Sequence, residues 1–224
     1  MRHSGRIQKL VLAAFIASSA LVVIAGTAWG MRFLAAQRSQ TTVPPADNVT
    51  LGFPMPGRLA PDFKLTDQFG QSVMLSSLYG REVVLAFIDS RCTTLCPLTA
   101  EIMYDAKAHL SASAASKIVL VAVNANPTAT SIAVVQAWSI NHGMLHQWLF
   151  LTGTAQQLES VYRSYDVYDQ VSSGGQVEHD PATFIIDAKG HEQLYFETLD
   201  SNSKSDLSGE EIGLEDGMRQ WLPQ

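Results

Sequence analysis

The sequence predicts an α/β domain whose central, mostly parallel β-sheet is flanked by helices, and two observations support this fold class. Two short, β-branched apolar runs, Val83–Ile88 and Ile118–Val123, have the length and composition of strands buried on both faces of a sheet. Segments with apolar residues at helical spacing follow these runs, so strands and helices alternate along the chain. Because parallel strands need long crossover connections, usually helices, this alternation favours a parallel sheet.

The first predicted elements surround the only two cysteines of the sequence. A hairpin is expected in which Phe63–Thr66 and Val73–Leu75 flank a turn that contains Gly70. The buried strand Val83–Ile88 follows and leads through the cysteine segment into a helix that ends near Leu110. The cysteines are therefore expected between a central strand and a helix.

The second half of the domain repeats this alternation. After the strand Ile118–Val123, Ser131 is expected to cap a helix that runs to Asn141. The remaining predicted elements are a strand at Trp148–Leu151, a helix opened by Thr154, a turn at Ser172–Gly175, a buried strand at Thr183–Ile186, a strand at Gln193–Thr198 and a closing helix at Gly209–Trp221. Together they place one domain over residues 58–224.

The amino-terminal segment predicts the compartment. A basic leader at residues 1–9 precedes residues 10–31, which carry no charge and are long enough to cross a bilayer core of about 30 Å as a helix. We expect a single-pass anchor in the inner (cytoplasmic) membrane, with the domain in the periplasm or an equivalent extracytoplasmic space. A cleaved signal peptide is the alternative, since Gly26–Ala28 offers small residues for processing. Residues 32–57, a Pro-rich segment, are then a flexible tether.

The composition argues against two classes of function. A net charge of −6 and a pI near 5.4, without a basic stripe, argue against a nucleic-acid partner. Two cysteines are too few for a disulfide scaffold or for a zinc site built from cysteines alone.

Cys92 and Cys96 are both predicted to be reactive thiols. At the amino end of a helix, unpaired backbone N–H groups and the positive end of the helix dipole favour a thiolate. Arg91 acts in the same direction. The carboxyl end of a central strand is also where α/β sheets carry their binding sites. A structural disulfide is the alternative in an oxidising compartment, although so short a loop contributes little chain-entropy stabilisation.

Several segments together carry a resemblance to a known family. They are the predicted anchor, Pro61–Asp67 with Gly70 behind it, the C-x-x-x-C-P pattern of Cys92–Pro97, Leu151–Gly153, and Val177–His179 before an apolar strand. On these segments, and over about residues 58–200, the chain resembles the Sco (SenC-type) proteins. These are thioredoxin-like copper proteins implicated in assembling the binuclear copper centre of cytochrome c oxidase.

The resemblance implies a thioredoxin-like fold and a copper site formed by Cys92, Cys96 and His179. Soft thiolates select Cu(I), and imidazole suits copper in either oxidation state. Because two thiolates leave copper under-coordinated, a third ligand is expected from a loop next to the cysteine strand. The implied function is that of a metallochaperone that delivers copper to, or maintains the cysteines of, the oxidase copper site. Its implied partner is the copper-site subunit of the oxidase or another copper chaperone.

Four further residues are predicted around these ligands: Asp89, Arg91, Asp180 and Pro181. Asp89 and Asp180 are expected to orient His179 or tune the thiols, because metal-bound imidazoles usually have a hydrogen-bond partner. Pro181 falls where thioredoxin-like reductases keep a cis-proline facing their cysteines. This position leaves thiol–disulfide exchange on an extracytoplasmic partner, through a redox-active Cys pair, as the alternative function.

The chain departs from the family pattern in two places. Thr93 follows the first cysteine where many members have proline, and Asn124–Thr128 stands where members often carry an Asp-Pro with further acidic residues. Thr93 also suggests a peroxidase with a P-x-x-x-T-x-x-C pattern, but Asp89 occupies the proline position. Because of this mismatch, the peroxidase hypothesis is the weakest of the three, and we expect no peroxide consumption.

The other potential metal ligands are expected to be structural. His142 and His146 are four residues apart, but Gly143 between them predicts a helix end rather than a paired site. Met103 and Met144 are expected in the core. The remaining histidines, His3, His109 and His191, have no supporting cluster.

Overall fold

Residues 52–172, 177–198 and 204–223 are described in the computed structural model of the chain. Within them the strands are β1 (Phe53–Pro54), β2 (Lys64–Thr66), β3 (Ser72–Met74), β4 (Glu82–Ile88), β5 (Ile118–Asn124), β6 (Leu149–Leu151), β7 (Asp169–Val171), β8 (Val177–His179), β9 (Ala182–Ile186) and β10 (Glu192–Glu197). The helices of the same residues are α1 (Leu95–Ala108), α2 (Ala112–Ala115), α3 (Ile132–Asn141), α4 (Ala155–Ser164) and α5 (Lys204–Trp221), with a 3₁₀ turn at Leu75–Leu78.

The central sheet is mixed rather than mostly parallel, which corrects the prediction. Its strand order is β1-β10-β9-β4-β5-β6. The pairs β4–β5 and β5–β6 are parallel, whereas β4–β9, β9–β10 and β10–β1 are antiparallel. For the β9–β10 pair the physical reason is their connection, a tight turn that contains Gly190 at a φ of 89°. A turn this short joins only antiparallel strands.

Helices cover both faces of the sheet, as predicted. Alternate residues of β4 point to opposite sides, so Val84, Ala86 and Ile88 lie in one core cluster and their neighbours lie in the other. Helices α1, α3 and α5 bury side chains in the first cluster. Helix α4 and the β2–β3 hairpin bury side chains in the second. The strand that leads to the cysteines is therefore fixed from both sides.

Most predicted elements are confirmed with small shifts at their ends. Ser131 caps α3, with its hydroxyl accepting from the Val134 N–H at 3.4 Å. Thr154 forms a capping box with Gln157 at the start of α4. Helix α5 begins at Lys204, before its predicted start at Gly209. The predicted hairpin is present as β2 and β3.

The amino-terminal boundary of the sheet differs from the prediction. Strand β1, Phe53–Pro54, pairs with Tyr195 and Leu194 of β10, although it falls inside the predicted tether of residues 32–57. The leader at 1–9, the predicted anchor at 10–31 and the rest of the tether up to residue 51 lie outside the described residues, as do residues 173–175 of the predicted turn. Among the residues that are described, no helix is both long and apolar enough to span a membrane.

Candidate metal centre

The two cysteines lie where β4 passes into α1. Strand β4 ends at Ile88 and α1 begins at Leu95, so Cys92 lies in the connecting loop and Cys96 in the first helical turn. Cys92 is half-buried, whereas Cys96 is 2% exposed and packs in the core. Both cysteines are free thiols in this structure. The predicted position between a central strand and a helix is therefore confirmed.

Asp89 holds the backbone of the cysteine loop. Its carboxylate accepts a hydrogen bond from the Arg91 N–H at 2.8 Å, and its carbonyl accepts from the Cys92 N–H at 3.1 Å. The carboxylate also accepts from the side-chain amide of Asn126 at 2.8 Å. Asp89 was predicted to orient His179 or tune the thiols. Its observed hydrogen bonds hold the loop that carries Cys92. Arg91 is exposed and lies on the surface of this loop.

The two sulfurs differ in protonation. The Cys92 sulfur accepts from the Cys96 N–H at 3.5 Å and lies 3.5 Å from the Thr94 hydroxyl. A hydrogen bond from the Cys96 thiol, together with these donors, lowers the pKa of Cys92 to about 4. The same shared hydrogen bond and then burial raise the pKa of Cys96. The prediction of two reactive sulfurs is therefore corrected, because only Cys92 has thiolate character.

His179 is the last residue of β8 and reaches the cysteines from there. Its Nε2 lies 3.6 Å from the Cys96 sulfur, although the two residues are 83 positions apart in the sequence. Its Nδ1 lies 2.9 Å from the carbonyl oxygen of Asp180. A carbonyl only accepts, so in the neutral ring Nδ1 carries the hydrogen and Nε2 presents its lone pair to Cys96.

Asp180 and Pro181 fix the segment that carries His179. The carboxylate of Asp180 accepts from the Tyr168 N–H at 2.9 Å, while its carbonyl faces the imidazole. The contact expected between Asp180 and His179 is thus made by the main chain. The carbonyl of Pro181 accepts from the Thr198 N–H at 3.1 Å. No peptide bond among the described residues is cis, so Pro181 follows a trans bond.

The contact between Cys96 and His179 has the spacing of two ligands on one metal ion. At a tetrahedral zinc site, bonds of about 2.3 Å to sulfur and 2.0 Å to nitrogen place the two ligand atoms about 3.5 Å apart. The observed 3.6 Å fits this geometry, and thiolate with imidazole is a donor set that suits copper. Within the part of the chain that the structure describes, however, no three Cys, His, Asp or Glu side chains are already gathered around a common point. A three-ligand site therefore requires a side-chain movement.

A groove of about 620 Å³ opens beside Cys92. Its walls are polar and come from the cysteine loop, from the segment after β5 and from the β7–β8 hairpin; they include Arg91, Thr93, Asn126, Gln170 and Glu178. The Cys92 sulfur is therefore accessible from a surface large enough for a polypeptide segment.

The other potential ligands are structural, as predicted. His142 stacks on Trp138 with ring centroids 3.8 Å apart, and His146 stacks on Phe69 at 5.7 Å. Helix α3 ends at Asn141, and Gly143 follows with a φ of 69°. The two methionines in question, Met103 and Met144, are buried in the core.

Two residues that contact the cysteine loop, Thr94 and Asn126, were not predicted as part of the site. Thr94 contacts the Cys92 sulfur directly, and Asn126 contacts Asp89. For Asn126 a signal was present, since it belongs to the segment that departs from the resembled pattern. Thr94 gave no such signal, because a threonine just before a helix is as well suited to capping the helix as to contacting a cysteine sulfur.

One protein-family profile matches most of the chain and identifies its family. The SCO1/SenC family profile matches residues 54–207, which include both cysteines, His179 and nearly the whole sheet. The chain belongs to the SCO1/SenC family. No curated protein matches it by sequence.

Solved Sco structures share the fold of this SCO1/SenC chain. The apo Sco1 protein from Thermus thermophilus superposes with a TM-score of 0.66 at 21% identity, covering 79% of this chain and 99% of its own. Arabidopsis thaliana ScoI with copper bound gives a TM-score of 0.62 at 20% identity, with 73% and 100% covered. BsSco, described with a disulfide switch and as a member of the Sco family of cytochrome c oxidase assembly proteins, gives 0.56 at 19% identity, with 72% and 95% covered. At these identities the likeness shows the fold.

Proposed function

We propose that this SCO1/SenC protein binds copper through Cys92, Cys96 and His179 and passes it to an extracytoplasmic acceptor. The observation that carries the proposal is the 3.6 Å contact between the Cys96 sulfur and His179 Nε2. It joins a soft sulfur donor to an imidazole whose lone pair is already aimed at it. Copper-bound structures of Arabidopsis and Bradyrhizobium ScoI support copper as the metal.

The two cysteines have different roles in this proposal. Cys92 is half-buried, faces the groove and holds a thiolate, so it can take up or release the metal first. Cys96 is buried and keeps its proton in the metal-free protein. Copper binding must displace that proton, so affinity for Cu(I) should rise with pH. Cys96 and His179 then form the inner part of the site.

The membrane attachment and the acceptor are also parts of this proposal. Residues 10–31 are the apolar segment that would anchor the domain on the periplasmic side of the inner membrane. The oxidase copper-site subunit, or another copper chaperone, is the acceptor suggested by the assembly role stated for BsSco. The groove beside Cys92 offers a surface on which such an acceptor can dock.

Anaerobic Cu(I) titration of the reduced full chain in detergent tests the ligand set. We expect one copper per chain, with two sulfurs and one nitrogen in the X-ray absorption spectrum. The Cys92→Ala, Cys96→Ala and His179→Ala variants should each weaken binding, whereas His142→Ala, a matched histidine change away from the site, should not. Wild-type affinity and an unchanged nitrogen count in His179→Ala would remove that ligand.

Thiol–disulfide exchange is a second candidate, favoured by the lowered pKa of Cys92 beside a second thiol. The Cys92 thiolate would attack a partner disulfide and release one partner thiolate. Cys96, after losing its proton to that thiolate, would then attack Cys92, which leaves an oxidised chain and a fully reduced partner. Insulin reduction and the Cys92–Cys96 reduction potential measure this activity. Loss of His179 should weaken copper binding but leave thiol–disulfide exchange largely intact, and so separates the two functions.

A further inference from the structure

The segment after β5 is hydrogen-bonded to the loop that carries Cys92. Asn126 is 1% exposed and donates from its side-chain amide to the Asp89 carboxylate at 2.8 Å. Asp89 is 5% exposed, and its remaining contacts hold the N–H groups of Arg91 and Cys92. A continuous path of hydrogen bonds therefore runs from Asn126 through Asp89 to the backbone of the first cysteine.

The orientation of the Asn126 amide is determined at both ends. Its oxygen accepts from the Thr128 N–H at 2.9 Å and from the Thr128 hydroxyl at 2.7 Å. A backbone N–H can only donate, so the oxygen must face Thr128 and the NH₂ group must face Asp89. The carboxylate of Asp89 in turn only accepts. Neither end tolerates a flipped amide, and Asn126 is therefore a rigid bridge between Thr128 and the cysteine loop.

We propose that Asn126 is a positioning residue for Cys92, which it holds in place through Asp89. The neutral amide is essential to this role. An aspartate at 126 would place a second carboxylate against Asp89 in a buried site, and the two would repel. An alanine would remove one of the two donors of Asp89 Oδ1, which also accepts from the Arg91 N–H. Either change should release the loop that aims the Cys92 sulfur at the Cys96 N–H.

The neighbouring Asn124 has a different task. Its carbonyl accepts from the Tyr162 hydroxyl at 2.5 Å, and its side-chain amide donates to the Ala129 carbonyl at 2.8 Å. These contacts join β5 to α4 and to the loop before α3. The Asn124 side-chain oxygen also accepts from the Ser90 N–H of the cysteine loop, at a longer 3.4 Å. Most contacts of Asn124 therefore hold the fold, whereas the NH₂ group of Asn126 acts on Asp89 in the cysteine loop and Asn126 lines the groove beside Cys92.

The test exchanges the two partners across the hydrogen bond. The variants are Asn126→Asp, Asn126→Ala and the double variant Asp89→Asn/Asn126→Asp, in which a neutral amide at 89 faces the carboxylate at 126 and removes the repulsion between two carboxylates. Because Asp89 Oδ1 accepts from both Arg91 and Asn126, the double variant removes the repulsion without restoring both hydrogen bonds. Asn141→Asp, the same change at an exposed residue, is the control. Two properties of the full chain are measured: Cu(I) affinity by competition with a chromophoric chelator, and the equilibrium constant for forming the Cys92–Cys96 disulfide in glutathione buffers.

Both single variants should bind Cu(I) about tenfold more weakly, the usual effect of losing a group that orients a ligand. Their disulfide constant should shift about fivefold toward the oxidised form, the equivalent of one hydrogen bond that stabilises the reduced loop. The double variant should bind Cu(I) more tightly than Asn126→Asp and should shift its disulfide constant back toward the wild-type value, because the repulsion between the two carboxylates is gone. The control should match the wild type.

Unchanged copper affinity and disulfide constant in Asn126→Ala would overturn the proposal, even if its thermal stability falls. So would a double variant that folds stably but shows no recovery. If Asn126→Asp does not fold, the alanine and double variants decide the result. The copper measurement rests on the proposed function, but the disulfide constant does not. If the wild-type chain fails to bind copper, the proposed copper function is refuted. The disulfide constant still tests the positioning role of Asn126.

Discussion

Replacing Glu82 with Gln should remove a pH-dependent loss of stability that the wild-type domain carries. Glu82 begins β4, is 0% exposed, and neither of its carboxyl oxygens has a hydrogen-bond partner among the described residues. Burial, with a smaller contribution from the charge of Asp187, raises its pKa from 4.5 to about 9. The folded protein therefore keeps this carboxyl neutral at pH 7, whereas the unfolded chain ionises it.

The sign and size of the effect follow from these two values. A folded-state pKa above the unfolded value means that folding takes up a proton between pH 4.5 and about 9. The stability contributed by Glu82 is fully present below pH 4.5 and decreases as the pH rises toward 9. Because each pH unit corresponds to about 1.4 kcal/mol, the loss at pH 7 is about 3 kcal/mol. Gln has the same shape and cannot ionise, so it should not show this loss.

Urea unfolding of both proteins, followed by tryptophan fluorescence from pH 4.5 to 8.5, measures the difference in unfolding free energy. We expect nearly equal stability at pH 4.5 and a Gln variant that is more stable by about 3 kcal/mol at pH 7. Taking the difference between the two proteins cancels every group that they share. A difference that stays constant across this range would refute the assignment of the proton uptake to Glu82.

Two further predictions concern a second fully buried carboxylate, that of Glu192, and the half-buried sulfur of Cys92. Glu192 is also 0% exposed but is paired with Arg58 at 2.5 Å, so Glu192→Gln should lower the free energy of unfolding in urea by about 1–3 kcal/mol at pH 7, where Glu82→Gln should raise it. Iodoacetamide should modify Cys92 rapidly even at pH 5.5, because its pKa is lowered to about 4, and should modify the buried Cys96 far more slowly. Peptide mass spectrometry over time measures both rates, and equal rates would contradict the asymmetry between the sulfurs.

Local patterns of the sequence predicted most elements and the β2–β3 hairpin, but not how the strands of the central sheet pair. The apolar runs of β4 and β5 identify buried strands, and Ser131 and Thr154 mark helix starts, because each of these signals lies within a few adjacent residues. Strand β1 gives no such signal, since it consists of Phe53–Pro54 alone. The direction in which β9 pairs with β4 depends on contacts about 100 residues apart and cannot be seen in either run.

The candidate site was selected by residue chemistry and by the family resemblance, without use of the strand pairing. Cys92, Cys96 and His179 were selected for their donor atoms and their resemblance to a family, and the structure brings Cys96 and His179 into contact. Which sulfur carries the proton was not predictable. That asymmetry depends on the Cys96 N–H and the Thr94 hydroxyl reaching one sulfur, while burial protects the other.

The corrected strand direction is what allows His179 to reach the cysteines. Strand β9 runs antiparallel to β4, with Thr183 opposite Ala86 and Ile186 opposite Val83. The beginning of β9 therefore lies at the carboxyl end of β4, the end that leads into the cysteine loop. In the mostly parallel sheet predicted from the sequence, the residues just before β9 would lie at the opposite edge, about five residues or 16 Å of strand away. An imidazole at position 179 can meet the Cys96 sulfur only because this one pairing is antiparallel, so the mixed sheet is a requirement of the site.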